Sequence, residues 1–467
     1  SCALAFVLFS TWGTGARAEP VQLGDHDYYF GDLHVHTGLS QDGGSNDLDC
    51  PWGEACGDYS TVLVDARDLY DLDFLALTDH GNGHHQVLDP EDWETQLADV
   101  LAADDPEGGF VTVPGVEVWL WHADGEIRDH RNLYLFGDAD DLDGLSLAEL
   151  IPDEEAAPFT TDDCPSVFDW MEEVEATRGP ALLIPHHPAL QPPGATDWQC
   201  SDLRFNPVVE NYSEHGNSQS ASFEGSFDSG EDAEQADSLV DHALALDGYG
   251  LRLGLISGTD SHDTRPGSVC STDPRFASKP NFGGGLAVVA LPAGEPLDRA
   301  AIYGALRDRR TMATSGPRIP LDVQLWIDDT PVAWMGEEAE ASAGAVLEVV
   351  AEVDPADAPY VVGASLVQPE VSTAPMTEVD TGRFREPLAL AAGEVAVVYV
   401  LVELDGAAYW ADAEVDCDDG GDDTREFLWS SPIWIEVDPL PGDDDDTSDD
   451  DDCACRHDPT PSLAAAG

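Results

Sequence analysis

The sequence predicts an α/β barrel of largely parallel strands followed by an all-β sandwich, and three observations carry that expectation. From about Tyr28 to Leu291, short apolar runs alternate with segments of 3.6-residue periodicity, the pattern of strand–helix units in a parallel sheet. After Gly316 and Pro317 the periodic segments give way to strand-like runs separated by Pro, Gly and Asp turns. His, Asp and Glu recur at or just beyond the ends of the early runs, where barrel enzymes carry their active sites.

Residues 1–18 are expected to be a signal peptide. Cys2 to Phe9 form a short apolar run, and Ala16, Arg17 and Ala18 have the small-x-small form that signal peptidase reads. A buried N-terminal helix is the alternative, since the run is too short to span a bilayer. The barrel is assigned to 19–316, with strands expected at Tyr29–His36, Asp73–Thr78, Phe110–Val116, Asn132–Phe136, Ala181–His186, Pro207–Glu210 and Leu253–Gly258. Helical periodicity marks Val62–Tyr70, Trp93–Ala102, Val167–Ala176 and Ala233–Leu246. The sandwich is assigned to 317–437, with runs at Leu321–Ile327, Ala345–Val353, Tyr360–Val367, Val395–Leu404 and Ile433–Val437 and no evident amphipathic helix. Residues 438–467 read as a disordered tail because like charges repel along the two Asp quartets. Its Cys453, Cys455 and small-residue end also look like the approach to a truncated surface-sorting signal, which would attach the protein to a cell surface.

The chain carries 94 Asp and Glu against 19 Lys and Arg, a net charge of −75 over 467 residues. That balance excludes nucleic acid and anionic membrane surfaces as partners, because both require a basic stripe. With 42% hydrophobic residues the chain can still bury a core. Six of the nine cysteines, Cys50, Cys56, Cys164, Cys200, Cys270 and Cys417, lie in the body, an even number that makes disulfides plausible in an exported chain. Cys50 and Cys56 could pair locally, and the remaining connectivities stay open.

The chemistry is expected at the strand ends. In Asp32–His36 a period of two puts Asp32, His34 and His36 on one face, so two imidazoles from one strand can reach one ion. Later runs end in Thr78-Asp79-His80, Gly115-Val116-Glu117, His186-His187 and Asp260-Ser261-His262; His130 stands before the fourth strand, and Glu210 to His215 follow the sixth. A His, Asp and Glu set without Cys favours zinc, manganese or iron. Its size calls for two or three divalent ions, which would activate water for hydrolysis.

The series His34-Val-His36, Thr-Asp-His80, Gly-Val-Glu117, His130, Pro-His-His187 and Asp-Ser-His262 resembles the polymerase and histidinol phosphatase (PHP) superfamily across roughly residues 28–270. Flanking strings such as Gly-Asp-Leu-His-Val-His-Thr and Trp-Ser-Ser-Pro-Ile-Trp look like its DUF3604 branch and the related carbaryl-hydrolase-type metallohydrolases. The resemblance implies a distorted (β/α)7 barrel in which His34, His36 and Asp260 bind one ion and Glu117 bridges to a second. His130 and one of His186 and His187 would complete the second, because adjacent strand residues point to opposite faces. His80 and His262 would hold a third, with Asp42 standing where the family often has a further His. Glu117, Asp260 and His262 are the catalytic candidates.

Around them, Asp79 is expected to orient His80, and Asp32 could do the same for His34 or His36. His215 either lines the substrate pocket or solvates a loop, while His84, His85, His122 and His242 read as loop or surface residues. Arg131, Arg265 and Arg318 could hold a substrate anion or could be Arg–Asp surface pairs. The implied activity is an exported hydrolase of a small phosphoester using metal-bound hydroxide. A carboxyl or carbamate ester hydrolase is the alternative, and a surface binding protein with a degenerate barrel is the non-enzymatic reading. An amidohydrolase bridged by a carbamylated lysine is disfavoured, since the one lysine, Lys279, lies in a loop beyond the motifs; a serine hydrolase is disfavoured because no GxSxG elbow occurs.

Overall fold

A computed structural model of the chain describes residues 20–39, 59–82, 88–121, 127–151, 164–189, 195–220, 237–246, 251–262, 264–267, 284–412 and 425–440. The expectations for the leader, Asp42, Cys50, Cys56, Cys270, Cys417, His84, His85, His122 and the tail beyond Leu440 lie outside the described residues. The fold is mixed α/β with strands predominating and several sheets. Among the described residues no helix is long and apolar enough to cross a membrane.

The first half contributes β1 (Val21–Leu23), β2 (His26–Asp32), β3 (Phe74–Leu77), β4 (Val111–Trp121), β5 (Ile127–Leu135), β6 (Ala181–Pro185), β7 (Val208–Ser213), β8 (Gly216–Asn217), β9 (Gly254–Ser257), β10 (Leu286–Pro292) and β11 (Thr311–Thr314). All seven strands expected from the sequence are present, but their directions are mixed. β2, β3 and β4 are parallel, as are β7 and β9, whereas β5 is antiparallel to both β4 and β6 and β10 is antiparallel to β2. The physical reason at β5 is length. Only residues 122–126 separate it from β4, too few for a helical crossover, so the chain returns as a hairpin arm.

A three-stranded sheet, β8-β7-β9, meets both ends of this series. At β6, Leu183 N–H donates to Phe205 O (2.8 Å); at β2, Val35 bridges Ser261, with His36 N–H donating to Ser261 O (2.9 Å) and Asp260 N–H to His34 O (2.8 Å). These links carry the ends of β2 and β9 to one place.

Helices cover the sheet. In Pro90–Ala103, Asp89 caps the N-terminus by accepting from Glu91 N–H (2.8 Å) and Asp92 N–H (2.9 Å), and Trp93, Gln96, Leu97 and Val100 form its buried face. Cys164–Arg178 buries Val167, Trp170, Met171 and Val174 at the same spacing. Its first residue is disulfide-bonded to Cys200, with the Cα atoms 5.3 Å apart.

The second half forms β12 (Leu321–Ile327), β13 (Thr330–Trp334), β14 (Glu338–Ala341), β15 (Leu347–Val353), β16 (Val361–Gln368), β17 (Ser372–Pro375), β18 (Thr377–Asp380), β19 (Arg383–Leu388), β20 (Val395–Asp405), β21 (Arg425–Ser430) and β22 (Ile433–Val437). β13-β12-β15-β19-β18 make a five-stranded sheet. Its buried Val323, Leu325, Val349 and Ala351 share one core with Leu366, Val398, Val400 and Val402 of β16 and β20. β21 pairs with β11, so the sheet of the second half runs on into that of the first. The helix Gly406–Asp412 was not legible in the sequence.

Candidate metal centre

Eight histidines and four carboxylates converge where β2, β3, β4, β6, β7 and β9 end. Glu117 is the hub. Its Oε2 lies 3.1 Å from His36 Nε2, 3.3 Å from His80 Nδ1 and 3.8 Å from His34 Nε2, while its Oε1 lies 3.3 Å from both His130 Nδ1 and His186 Nε2. One carboxylate therefore faces two groups of imidazoles with its two oxygens. Asp260 is a second hub: Oδ1 is 3.1 Å from His34 Nε2 and 3.3 Å from His36 Nε2, and Oδ2 is 3.0 Å from His215 Nε2.

The spacing fits a divalent ion. A tetrahedral site with bonds of about 2.1 Å puts its ligand atoms about 3.4 Å apart. His34 Nε2 and His36 Nε2 are 3.3 Å apart, and their separations from Asp260 Oδ1 and Glu117 Oε2 run from 3.1 to 3.8 Å. Two imidazole nitrogens held that close, with anions on either side, lack a stabilising arrangement unless a cation or shared protons lie between them. Further sets able to hold an ion are His36 with His80 and His262, His130 with His186 and His187, and His187 with His215 and Asp260.

Local backbone geometry brings these groups in. His34 and His36 follow β2 with side chains on one side, as the alternation of two predicts. His130 lies inside β5, not before it, opposite Trp119 of β4. Because β5 runs the other way, its first half reaches the edge where the parallel strands end. His186 and His187 both enter the cluster, correcting the expectation of only one. His187 has φ of 30°, which breaks the strand alternation and swings its ring to 4.2 Å from that of His186 and 5.1 Å from that of His130. Asp260, with φ of 53°, is turned inward in the same manner.

Electrostatics sort the groups into ligand-ready states. Burial raises the Glu117 carboxyl, but His80, His186 and His130 outweigh it and hold the group well below its ordinary value. Asp260 is likewise lowered by His34, His215 and His36 against its burial. Burial and the neighbouring His34 bring His186 down to about 3, and burial with His186, His130 and His215 lowers His187. Both therefore stay neutral, the form that binds metals. His34 is the exception: burial lowers it, but Asp260, Glu210 and Glu117 raise it well above its usual value. His186 Nδ1, His187 Nδ1 and His130 Nε2 are buried without a hydrogen-bond partner among the described residues.

Three residues take supporting roles that the sequence does not assign to them, although Glu210 and Glu214 stand in the segment 210–215 singled out there. Glu210 Oε2 takes the His34 Nδ1 side at 2.8 Å, and Glu214 Oε1 takes His262 Nδ1 at 2.9 Å, each aiming the other ring nitrogen into the cluster. Trp119 stacks on His130 at 4.5 Å and donates from Nε1 to Glu117 Oε1 (2.5 Å). Glu210 lies within β7 and Trp119 stands two residues beyond Glu117 on the same face of β4, so the alternation of two is a signal for Trp119.

Among the remaining expected residues, Asp32 and Arg131 depart from expectation. Asp32 accepts from Thr259 N–H (3.0 Å), Thr259 Oγ1 (2.6 Å), Gly267 N–H (2.8 Å) and His34 N–H (3.2 Å), so it ties backbone segments together instead of orienting an imidazole. Asp79 accepts from Thr37 N–H (2.7 Å) and Oγ1 (2.8 Å). Arg131 is fully buried, and its arms donate to Asp129, Asn206 Oδ1 (3.2 Å) and the Cys200 carbonyl (2.6 Å); it is an internal strut, closed to substrate. Arg318 donates to the carbonyls of Asp71 (2.7 Å) and Tyr70. Arg265 is part-exposed in the loop after β9, its N–H donating to Ser261 Oγ (3.3 Å). His242 pairs with Glu370 (2.9 Å) away from the centre.

In comparisons with known proteins, the chain matches no protein-family model, no curated protein and no solved structure. The fold and site together define a mixed α/β protein with buried His, Asp and Glu groups able to hold metal ions.

Proposed function

We propose that the protein is a metal-dependent hydrolase of ester bonds, related in design to the PHP superfamily, with a barrel-like first half and a sandwich-like second half. The observation that carries the reading is the set of near-tetrahedral separations among His34, His36, Asp260 and Glu117, with the second oxygen of Glu117 turned to His130 and His186. His34, His36, Asp260 and Glu117 would hold one ion, and Glu117, His130 and His186 a second. Bound divalent ions would supply Lewis-acid polarisation and an activated water.

The chain's own residues prepare that chemistry. Glu210 and Glu214 fix the rings of His34 and His262, burial keeps His186 and His187 neutral, and Trp119 holds Glu117 against His130. A phosphoester is the first substrate class, because an ion cluster can take phosphoryl oxygens directly. Carboxyl or carbamate esters form the second reading, favoured by one observation: Arg131, a candidate for holding a substrate anion, is fully buried and committed to Asp129, Asn206 and the Cys200 carbonyl.

Metal content by mass spectrometry, measured with hydrolysis of chromogenic phosphomonoesters, phosphodiesters and carboxyl esters, tests the reading. The expected result is at least one transition metal per chain and a loss of about 10²-fold or more in turnover for Glu117→Ala and Asp260→Ala. Less than one transition metal per chain under all loading conditions overturns it in favour of a binding protein.

A further inference from the structure

We infer that the centre contains an additional cation subsite, formed by His187 Nε2, His215 Nε2 and Asp260 Oδ2, which takes a borderline divalent ion such as zinc, iron(II), manganese or cobalt. The inference deepens the metal-dependent reading and rests on it. It starts from the division of labour within Asp260. Oδ1 belongs to the His34 and His36 side at 3.1 and 3.3 Å, whereas Oδ2 faces the other way, 3.0 Å from His215 Nε2 and 3.9 Å from His187 Nε2. The three donor atoms lie within 4.8 Å of one another, close enough for modest side-chain rotation to bring them around one ion.

Neither histidine is needed by the two positions already described. Glu117 Oε1 with His130 and His186 forms its own group, so His187 is surplus there, yet the chain adopts φ of 30° at this residue and turns the ring inward. A non-glycine residue in that region is strained and persists where the surroundings enforce it. The His187 ring is buried and has no hydrogen-bond partner for Nδ1 among the described residues. Asp260 is left-handed as well, so both turns aim their side chains at the same point.

The subsite also differs from the rest of the centre in access. The His215 side chain is 16% exposed, whereas those of His34, His36, His80, His186 and His187 are 1 to 5% exposed. An ion held there would reach solvent, exchange faster than the enclosed ones, and have only three protein ligands. Two imidazoles and a carboxylate set its class, and the missing fourth ligand leaves a position for a substrate oxygen. Asp260 would then be shared between two ions, as Glu117 would be in the proposed centre.

The test is equilibrium dialysis of the full chain against Zn²⁺, with bound metal counted by mass spectrometry, for wild type, His215→Ala, His187→Asn and Glu117→Gln. His215 sits at the rim, so its truncation leaves the core intact; Asn tolerates the left-handed backbone at 187 while removing the imidazole. Each of the two subsite variants is expected to bind one ion fewer than wild type with the others retained, and Glu117→Gln to lose the enclosed ions. A wild type that binds several ions, with both subsite variants binding the same number, overturns the subsite and leaves the hydrolase reading standing; His215 and Asp260 would then be an ion pair only. A wild type that binds no ion removes both.

Discussion

Gly258 offers the sharpest test of how closely the fold is fitted to the candidate metal centre. It follows β9, and a methyl group built on its Cα would lie 2.8 Å from the Cβ of His34 and 2.8 Å from Oε2 of Glu210, where ordinary contact begins near 3.4 Å. Gly258→Ala must therefore push these groups away by about 0.6 Å, and neither is free to give. His34 is held by the Asp260 N–H bond to its carbonyl (2.8 Å), and Glu210 by its contacts with His34 Nδ1 (2.8 Å) and the His187 N–H (3.3 Å). Overpacking of this kind costs about 1–3 kcal/mol. Ligand positions must hold to about 0.2 Å, and disturbing the partner of a ligating histidine lowers metal affinity about 10- to 100-fold. Denaturant unfolding of the metal-free protein reads the first effect, and competitive dialysis against a chelator reads the second. Gly363→Ala is the control, since nothing lies within 4 Å of its added methyl. A Gly258→Ala protein with wild-type stability and wild-type metal affinity would refute the close packing of Gly258 against His34 and Glu210.

Glu426 predicts a pH dependence away from the centre. Burial, opposed by bonds from Ser315 Oγ and Trp410 Nε1 (2.9 Å), lifts its carboxyl from 4.5 to about 7. The folded state holds the proton more tightly than the unfolded chain, so this group's stabilisation is complete below about 4.5, falls as pH rises to about 7, and is then lost. The loss amounts to about 3 kcal/mol, and denaturant midpoints of Glu426→Gln, which cannot ionise, should lack that slope and exceed wild type at pH 8. Glu210→Gln should keep the fold but weaken Zn²⁺ binding about 10- to 100-fold in dialysis, by removing the charge behind His34; unchanged affinity would assign Glu210 a packing role. Stripping metal with a chelator should lower the thermal midpoint, with re-addition restoring it in proportion to the logarithm of free metal. Replacing Cys164 and Cys200 with Ala should cost about 2–4 kcal/mol by denaturant unfolding, since the bond ties the helix Cys164–Arg178 to the segment before β7.

The strands and most metal donors were legible because both rest on local periodicity. Alternation of two in Asp32–His36 fixes which side chains share a face, and it does so without tertiary information. Direction was not legible. That β5 turns back depends on the length of the β4–β5 connection, which is five residues once β4 is seen to run on to Trp121 and β5 to begin at Ile127; the sequence reading ended one strand at Val116 and began the next at Asn132. The strand β10 shows no alternation because Leu286–Leu291 is a continuous apolar run buried throughout, which periodicity does not distinguish from a helical segment. His187 escaped because alternation assumes extended backbone, and a single left-handed residue cancels it. Arg131 was misjudged for a related reason: an arginine beside a ligand histidine looks available until its strand partner Asp129 and the distant Asn206 and Cys200 are seen to enclose it.

The charge of −75 acquires a meaning inside the protein as well as outside it. A buried carboxylate needs a compensating cation, a proton, or several hydrogen-bond donors, and with 19 basic residues against 94 acidic ones the first is scarce. Asp129 takes an arginine, Glu426 takes a proton, and Asp32 takes three N–H groups and a hydroxyl. Glu117, Asp260, Glu210 and Glu214 are all buried in one cluster, with histidines as their neighbours and no arginine or lysine ion pair among the described residues. Histidine compensates charge only when protonated, yet His186 and His187 are held neutral by their burial and by each other's neighbours. Ionised Glu117 and Asp260 beside two neutral imidazoles need positive charge from the remaining rings, such as the raised His34, or from divalent ions bound as proposed. On the proposed metal-dependent reading, the scarcity of basic residues leaves this cluster to be balanced by bound ions, and the loss of stability on chelation should grow as pH rises and protons become less able to substitute.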